Sequence, residues 1–307
     1  MLFDFGLIAS ALRLATPLAY VALGALICER AGVINVGVEG LMLMGALAAN
    51  VVTALTSSFV LGVLAGILAG MIFGLMLAYL TVVIKADQLV VGIGFNIFGL
   101  GLSSFCREVI FGVQSGPNAS RTEPFPVFDG SWIGSVPVIG PILASQTILS
   151  LGVLIAPLAI GFVLWRTGPG LAARVVSENA RMADMLGINV TRTRILAVII
   201  GSGLAGLGGA DLALAEVNYF ITNMTAGRGY IALAAVVLGR WNPYATLMIC
   251  LVLGVADASQ FRFQTLQLAV PPQLWVSMPY IVAFILLLGS RGQAIAPADD
   301  GKPYTRN

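Results

Sequence analysis

The side chains that could do chemistry in this chain are few, and the most versatile of them is missing. None of its 307 residues is histidine, so imidazole general-base catalysis, Ser-His and Cys-His nucleophile pairs and His-ligated metal sites are excluded by inventory. The three cysteines, Cys28, Cys106 and Cys250, lie far apart in apolar segments, without a C-x-x-C spacing or an even disulfide set, and read as core thiols. No metal and no cofactor is expected. Gly92-x-Gly94-x-Asn96 is glycine-rich, but it sits inside a hydrophobic span with no preceding strand and no following helix terminus in water, so it is not a phosphate cradle. No G-x-x-x-x-G-K-[ST] occurs, and the only lysines are Lys85 and Lys302. What remains is a scatter of carboxylates and amides in apolar surroundings: Asn35, Glu39, Asn96, Asp211, Glu216, Asn218 and Asp257. Groups of that kind hydrogen-bond a ligand or another helix.

The segments that must position them are membrane helices. The chain is 58% hydrophobic and 10% charged, with a mean hydropathy of +0.96, and a soluble globule of that make-up could not cover its own surface. A net charge of +2 gives no field able to recruit nucleic acid. About 20 apolar residues cross a bilayer core. Gly40 to Ile84 is uncharged and holds two helices hinged at Thr56-Ser57-Ser58; Gln88 to Cys106, Gln146 to Trp165, Ile195 to Ala210 and Leu274 to Ser290 hold one each. Ala11 to Cys28 adds a first helix despite Arg13 and Pro17, and Gly229 to Ala258 reads as two helices broken at Arg240-Trp241-Asn242-Pro243. The expectation is an all-α polytopic protein with about nine transmembrane helices. No positively charged n-region or small-residue cleavage site marks a signal peptide near Met1, so the first helix is expected to stay.

Cations fix the expected orientation, because cytoplasmic loops retain Lys and Arg. Residues 166–194 carry Arg166, Arg174, Arg181, Arg192 and Arg194. Placing them inside also puts Arg30, Lys85, Arg240, Arg291, Lys302 and Arg306 inside, eleven of sixteen cations, and leaves Arg13, Arg107, Arg121, Arg228 and Arg262 outside. The single membrane domain, 1–307, then has its N-terminus outside, a proline-rich extracytoplasmic loop at 107–145 and a cytoplasmic tail at 291–307. The chain also reads as two inverted repeats. A first helix breaks at Glu29-Arg30-Ala31-Gly32 and resumes near Gly37; a later one breaks through Asn218 to Gly227 and resumes at Gly229. Interrupted helices in inverted repeats are where transporters bind substrate.

Polar groups at membrane depth are costly and tend to face a partner or a cavity. Asn35 and Glu39, four apart and so expected on one helix face, either line a substrate path or bond neighbouring helices. Asn96, between Gly94 and Gly99, either lines the path or packs closely; Asn218 is a further path candidate. Replacing Asn96 by Leu is accordingly expected to slow uptake without disturbing assembly. Asp211, Glu216 and Asp257 are expected to pair with arginines, Arg228 among them, or to face water. Within 166–194, Ser177 is expected to cap a short helix with Glu178 in its first turn, Asn179 to Leu186 as its body and Gly187 ending it in a left-handed turn.

That helix carries a resemblance. Glu178-x-Ala180-x-x-Ala183-x-x-x-Gly187 looks like the Glu-Ala-Ala coupling loop of ABC importer permeases, although it lacks the Pro that often follows the Asn and has fewer alanines at 179–182. ERAGVINVGVEGLMLMGA (Glu29 to Ala46), MTAGRGYIALAAVVLGRWNP (Met224 to Pro243), the start Met278-Pro279-Tyr280 and the tail Pro297 to Tyr304 resemble the simple-sugar and nucleoside permease family. The pattern is most like the shorter permease subunit of basic-membrane-protein-type nucleoside importers. The resemblance implies a transport subunit of the cytoplasmic (inner) membrane, not an enzyme. It also implies an ABC ATP-binding subunit that hydrolyses ATP, a second permease subunit and an extracytoplasmic substrate-binding protein. A neutral, hydroxyl-rich nucleoside or sugar suits Asn35, Glu39 and Asn96 without an intramembrane Lys or Arg beside them. A branched-chain amino-acid permease and a stand-alone secondary carrier are the alternatives.

Overall fold

A bilayer offers no water to backbone N–H and C=O groups, so an apolar chain must bond them internally. The structure, a computed structural model, describes residues 5–112, 120–127, 145–265, 271–289 and 296–305, and in them the chain does this with helices. In order they are α1 (Phe5–Glu29), α2 (Val38–Thr56), α3 (Phe59–Ala78), α4 (Gln88–Phe111), α5 (Ile148–Arg166), α6 (Gly168–Glu178), α7 (Ala180–Met185), α8 (Val190–Asp211), α9 (Arg228–Leu238), α10 (Pro243–Thr265), α11 (Pro272–Val276) and α12 (Met278–Gly289). π-helical turns, Tyr79–Val83 and Leu212–Val217, extend α3 and α8.

Among the described residues, seven helices are long and apolar enough to cross a membrane: α1, α2, α3, α4, α5, α8 and α10. The expected count of nine is reached only with α9 and α12, which have 11 and 12 residues. At 1.5 Å per residue these rise roughly 17 Å, about half a hydrocarbon core. An apolar run following a break need not be a full crossing.

Local chemistry sets the boundaries. Ser57 turns left-handed at φ 53° and the Ser58 side chain accepts from Leu61 N, which separates α2 from α3 at the expected hinge. Asp87 accepts from Leu89 N and Val90 N to start α4. Arg240 and Trp241, at φ 52° and 53°, make the break before Pro243 opens α10. Most of 107–145 lies outside the described residues, as do Arg291 and Arg306.

The core is built around α8, which packs on α1, α2 and α3. One reason is a stripe that periodicity alone does not reveal: Gly62, Gly66, Gly70 and Gly74 recur every four residues on α3, and all are buried. A Cβ on Gly66 would lie 2.9 Å from Ala210 Cβ, so only a bare backbone permits this approach of α3 to α8. Close packing of small residues replaces the hydrophobic driving force that helices lack in lipid.

Candidate functional site

The two breaks meet. Glu39, in the first turn of α2, reaches the start of α9, where its Oε1 accepts from Gly227 N and its Oε2 from Gly229 N, each at 2.7 Å. The first N–H groups of a helix have no partner within it, and a carboxylate there gains both hydrogen bonds and the helix dipole. Gly229 makes the approach possible, since a Cβ on it would sit 2.7 Å from Glu39 Oε2. The turn leading into α9 is unusual backbone, with Asn218, Asn223, Ala226 and Gly227 all at positive φ.

Asn96 ties a third element to the same place. Its Oδ1 accepts from Gly40 N at 2.9 Å, while its Nδ2 donates to Val36 O at 2.9 Å and to Tyr230 Oη at 2.8 Å. Thus α4, the first break and α9 are joined through one buried amide. Beside this junction Tyr280 Oη, from the first turn of α12, donates to Ala226 O at 2.9 Å. Arg228 Nη2 lies 3.6 Å from Asp257 Oδ2, and Gln260 donates to the other oxygen of that carboxylate.

Of the residues expected on a substrate path, then, the structure brings Glu39 and Asn96 together. Asn35 is not on a helix face with Glu39, because α2 begins only at Val38; its Nδ2 turns toward Cys28 Sγ at 3.7 Å and its Oδ1 is buried without a hydrogen bond. Asn218 lies elsewhere, where its carbonyl accepts from Thr122 N and Oγ1. The expected Arg228–Asp257 pair is present. Asp211 differs from expectation: it is buried, neither oxygen has a hydrogen bond, and no arginine among the described residues pairs with it. The inventory without a nearby arginine also needs correction, since Arg228 stands between Glu39's two partners, its charge answered by Asp257. Tyr230 and Tyr280 were missed, though both lie in the sequence strings quoted above; a hydroxyl in an apolar helix start was the available signal.

A second cluster forms where α6, α7 and α8 meet the tail. Ser177 does not cap α7: it belongs to α6, with its Oγ donating to Arg174 O, and Glu178 ends that helix. Asn179 is the cap, its Oδ1 accepting from Met182 N at 2.9 Å, because its extended backbone (φ −156°) leaves the side chain free to turn back. Gly187 ends the unit at φ 82°, as expected. Ala180 and Ala183 face inward, packed with Val176 and Val190 and covered by Tyr304 of the tail. Asp299 Oδ2 accepts from Ala180 N at 2.9 Å and Asp299 N donates to Ser177 O at 2.8 Å. Arg194 donates to Lys302 O at 2.7 Å. Met182, Met185 and Leu186 face out; Met185 is 80% exposed.

The same end holds a lock between the first break and the later one at Arg240 to Pro243. Arg30 Nε and Nη2 donate to Trp241 O at 2.9 and 2.8 Å, and Trp241 Nε1 donates to Glu29 Oε2. Arg30, Lys85, Arg174, Arg194 and Lys302 therefore gather at one end of the bundle, with Arg13 and Arg262 around Glu216 in a separate pocket.

The described chain is a polytopic bundle with interrupted helices joined at their breaks. It aligns with a solved structure titled an inward-facing conformation of a putative metal-chelate type ABC transporter at a TM-score of 0.53, over 92% of this chain and 86% of that one, with 17% identity. The chain belongs to the family described as branched-chain amino acid transport system / permease component, whose profile matches residues 7–290. It is 39% identical to the putative glucose ABC transporter permease protein TsgC13 of Haloferax volcanii over 89% of this chain and 82% of that protein. It is 34% identical to the nucleoside ABC transporter permease protein NupC of Lactococcus lactis over 98% and 97%. The protein is thus a permease component of an ABC transporter, a multi-pass transport subunit of the cytoplasmic membrane and not an enzyme.

Proposed function

We propose that this permease imports nucleosides, with N-terminus outside and residues 166–194 inside. The observation that carries the reading is the junction itself: polar groups at membrane depth meet where the two breaks touch, and the one arginine among them is already paired with Asp257. A zwitterionic amino acid would have to break or bridge that pair, whereas a neutral ligand with hydroxyls and a ring would not. NupC matches this chain over nearly its full length, which favours the same ligand class. The glucose permease relative supports a second reading, a simple sugar, which shares the neutral, hydroxylated character.

One exposed surface supports the first of the partners. Met182, Met185 and Leu186 form an apolar knob on α7 at the arginine-rich end, and an ATP-binding subunit docking there would push on α6 and α8. A second permease subunit and an external binding protein complete the importer. Two inverted repeats, one on either side of α5, bring one break each to the junction, the short α9 and α12 both belonging to the second repeat. Uptake of labelled purine nucleoside, glucose and leucine by vesicles carrying the full importer tests the substrate; leucine uptake in preference to both others would refute it. Ser177 is buried, so a single cysteine at Met185 is the topology probe, and labelling from outside sealed cells would reverse the orientation.

A further inference from the structure

Tyr230 and Tyr280 are the two side chains near the junction whose exposure its hydrogen bonds do not explain. Each opens a short apolar helix, α9 and α12, and each is about half exposed, at 46% and 47%. Both hydroxyls are tethered: Tyr230 Oη accepts from the buried Asn96 Nδ2, and Tyr280 Oη donates to Ala226 O at the surface, so both rings are fixed at their far ends. Tyrosines of a membrane aromatic belt do the opposite, presenting the hydroxyl to headgroups and the ring to hydrocarbon. Lipid is also a poor neighbour for this flank, because the Arg228–Asp257 ion pair lies on it with Arg228 about one-fifth exposed. A surface carrying an ion pair and two tethered rings suits a wet passage better than an acyl chain.

We propose that Tyr230 and Tyr280 form an aromatic guide for the planar base of a nucleoside, offering ring faces on either side of the Ala226–Tyr230 turn. The proposal rests on the nucleoside reading above and deepens it. Tyrosine faces stack on any heteroaromatic ring without reading its hydrogen-bond edges, which suits a passage that must release what it binds. Tethering the hydroxyls sets the rings in place before the ligand arrives, so little side-chain entropy is lost on contact.

The test compares ring with hydroxyl in the assembled importer. Tyr230→Phe and Tyr280→Phe keep the ring; Tyr230→Leu and Tyr280→Leu keep bulk but lose it. Initial uptake of a labelled purine nucleoside below saturation is expected to fall about tenfold in each Leu variant and to stay within about twofold of wild type in the Phe variants. Tyr79→Leu, which removes another exposed tyrosine, on the π-helical turn after α3, should transport like wild type. Because a Leu variant can fail through misfolding, co-purification of the complex is measured alongside, and an azidopurine nucleoside is photo-crosslinked to the wild-type importer. Label on the peptides containing Tyr230 or Tyr280 supports the guide. Label only elsewhere, full uptake in the Leu variants, or equal losses in Phe and Leu variants overturns it. Wild-type uptake of glucose with none of nucleoside overturns the substrate reading and the guide with it, whereas the preceding outcomes remove the guide alone.

Discussion

Glu39 and Asp299 perform one task at two helix starts that are remote from them in sequence, Glu39 at Gly227 and Gly229 and Asp299 at Ala180. The first cap is buried between helices and uses both carboxylate oxygens at 2.7 Å. The second uses one oxygen at 2.9 Å on a side chain 28% exposed, beside Lys302 at 3.5 Å. Water can replace the partly exposed Asp299 at Ala180 N more readily than it can replace the buried Glu39 at the junction. The same chemistry is therefore permanent structure in one region and a releasable latch in the other. The contrast also teaches that a carboxylate at membrane depth should first be asked what it holds.

Removing the buried cap is the most severe way to probe that contrast. Glu39→Leu removes the partner of two N–H groups at a largely buried helix start, at a cost of about 3 to 5 kcal/mol. Loss of monodisperse permease after detergent extraction is expected, with Glu39→Gln intermediate because its amide meets one N–H with another. Wild-type yield of the Leu variant would show that the two caps are equivalent after all. Asn96→Leu comes next: it leaves Gly40 N, Val36 O and Tyr230 Oη without this partner, for about 2 to 4 kcal/mol. A drop in the thermal midpoint of the purified complex is expected. This revises the expectation drawn from sequence, in which the variant spared assembly, since three hydrogen bonds make Asn96 a joint between elements.

Features encoded over a few residues were legible beforehand. The hinge at Thr56-Ser57-Ser58, the break at Arg240 to Pro243 and the left-handed Gly187 depend on neighbours alone, and the structure has each where the sequence put it. The helix cap at residue 177 was misplaced by two positions because Ser177 and Asn179 are both good caps, and burial of Ser177 against the tail decides between them. The partners of Glu39 were out of reach. They lie 188 and 190 residues away, and no local pattern specifies which backbone N–H a carboxylate will meet. Asn218 failed to join Glu39 and Asn96 for the same reason, since the bends and turns through 218–227 separate it from the start of α9.

On the exposed side, Asp299→Ala removes one cap and the Lys302 pair, worth about 1 kcal/mol. The fold should survive, while hydrogen exchange at Ala180 and in the tail quickens. Exchange unchanged at Ala180 N would mean that Asn179 alone holds α7.

The smallest effect on folding, and the sharpest on the latch, is expected at the next residue. Burial pushes the Asp300 carboxyl up to about 7, against the opposing pull of the Gly301 N–H and Arg194, and its Oδ1 has no hydrogen bond. In the released tail this group has an ordinary carboxyl pKa near 3.8. The docked tail thus holds a proton that the released tail gives up, and docking weakens as protons become scarce. The contribution is complete below the lower value and is lost as pH rises through about 7. Hydrogen exchange across Pro297 to Tyr304, corrected for intrinsic rates, should accelerate between about pH 4 and 7 by roughly the tenfold-per-unit limit or less and level off above 7. Asp300→Asn, neutral throughout, should flatten that dependence and leave the thermal midpoint of the permease nearly where it was. A pH-dependent tail in the Asn variant would place the titrating group elsewhere; a flat profile in the wild type would show that the tail docks with Asp300 already ionised.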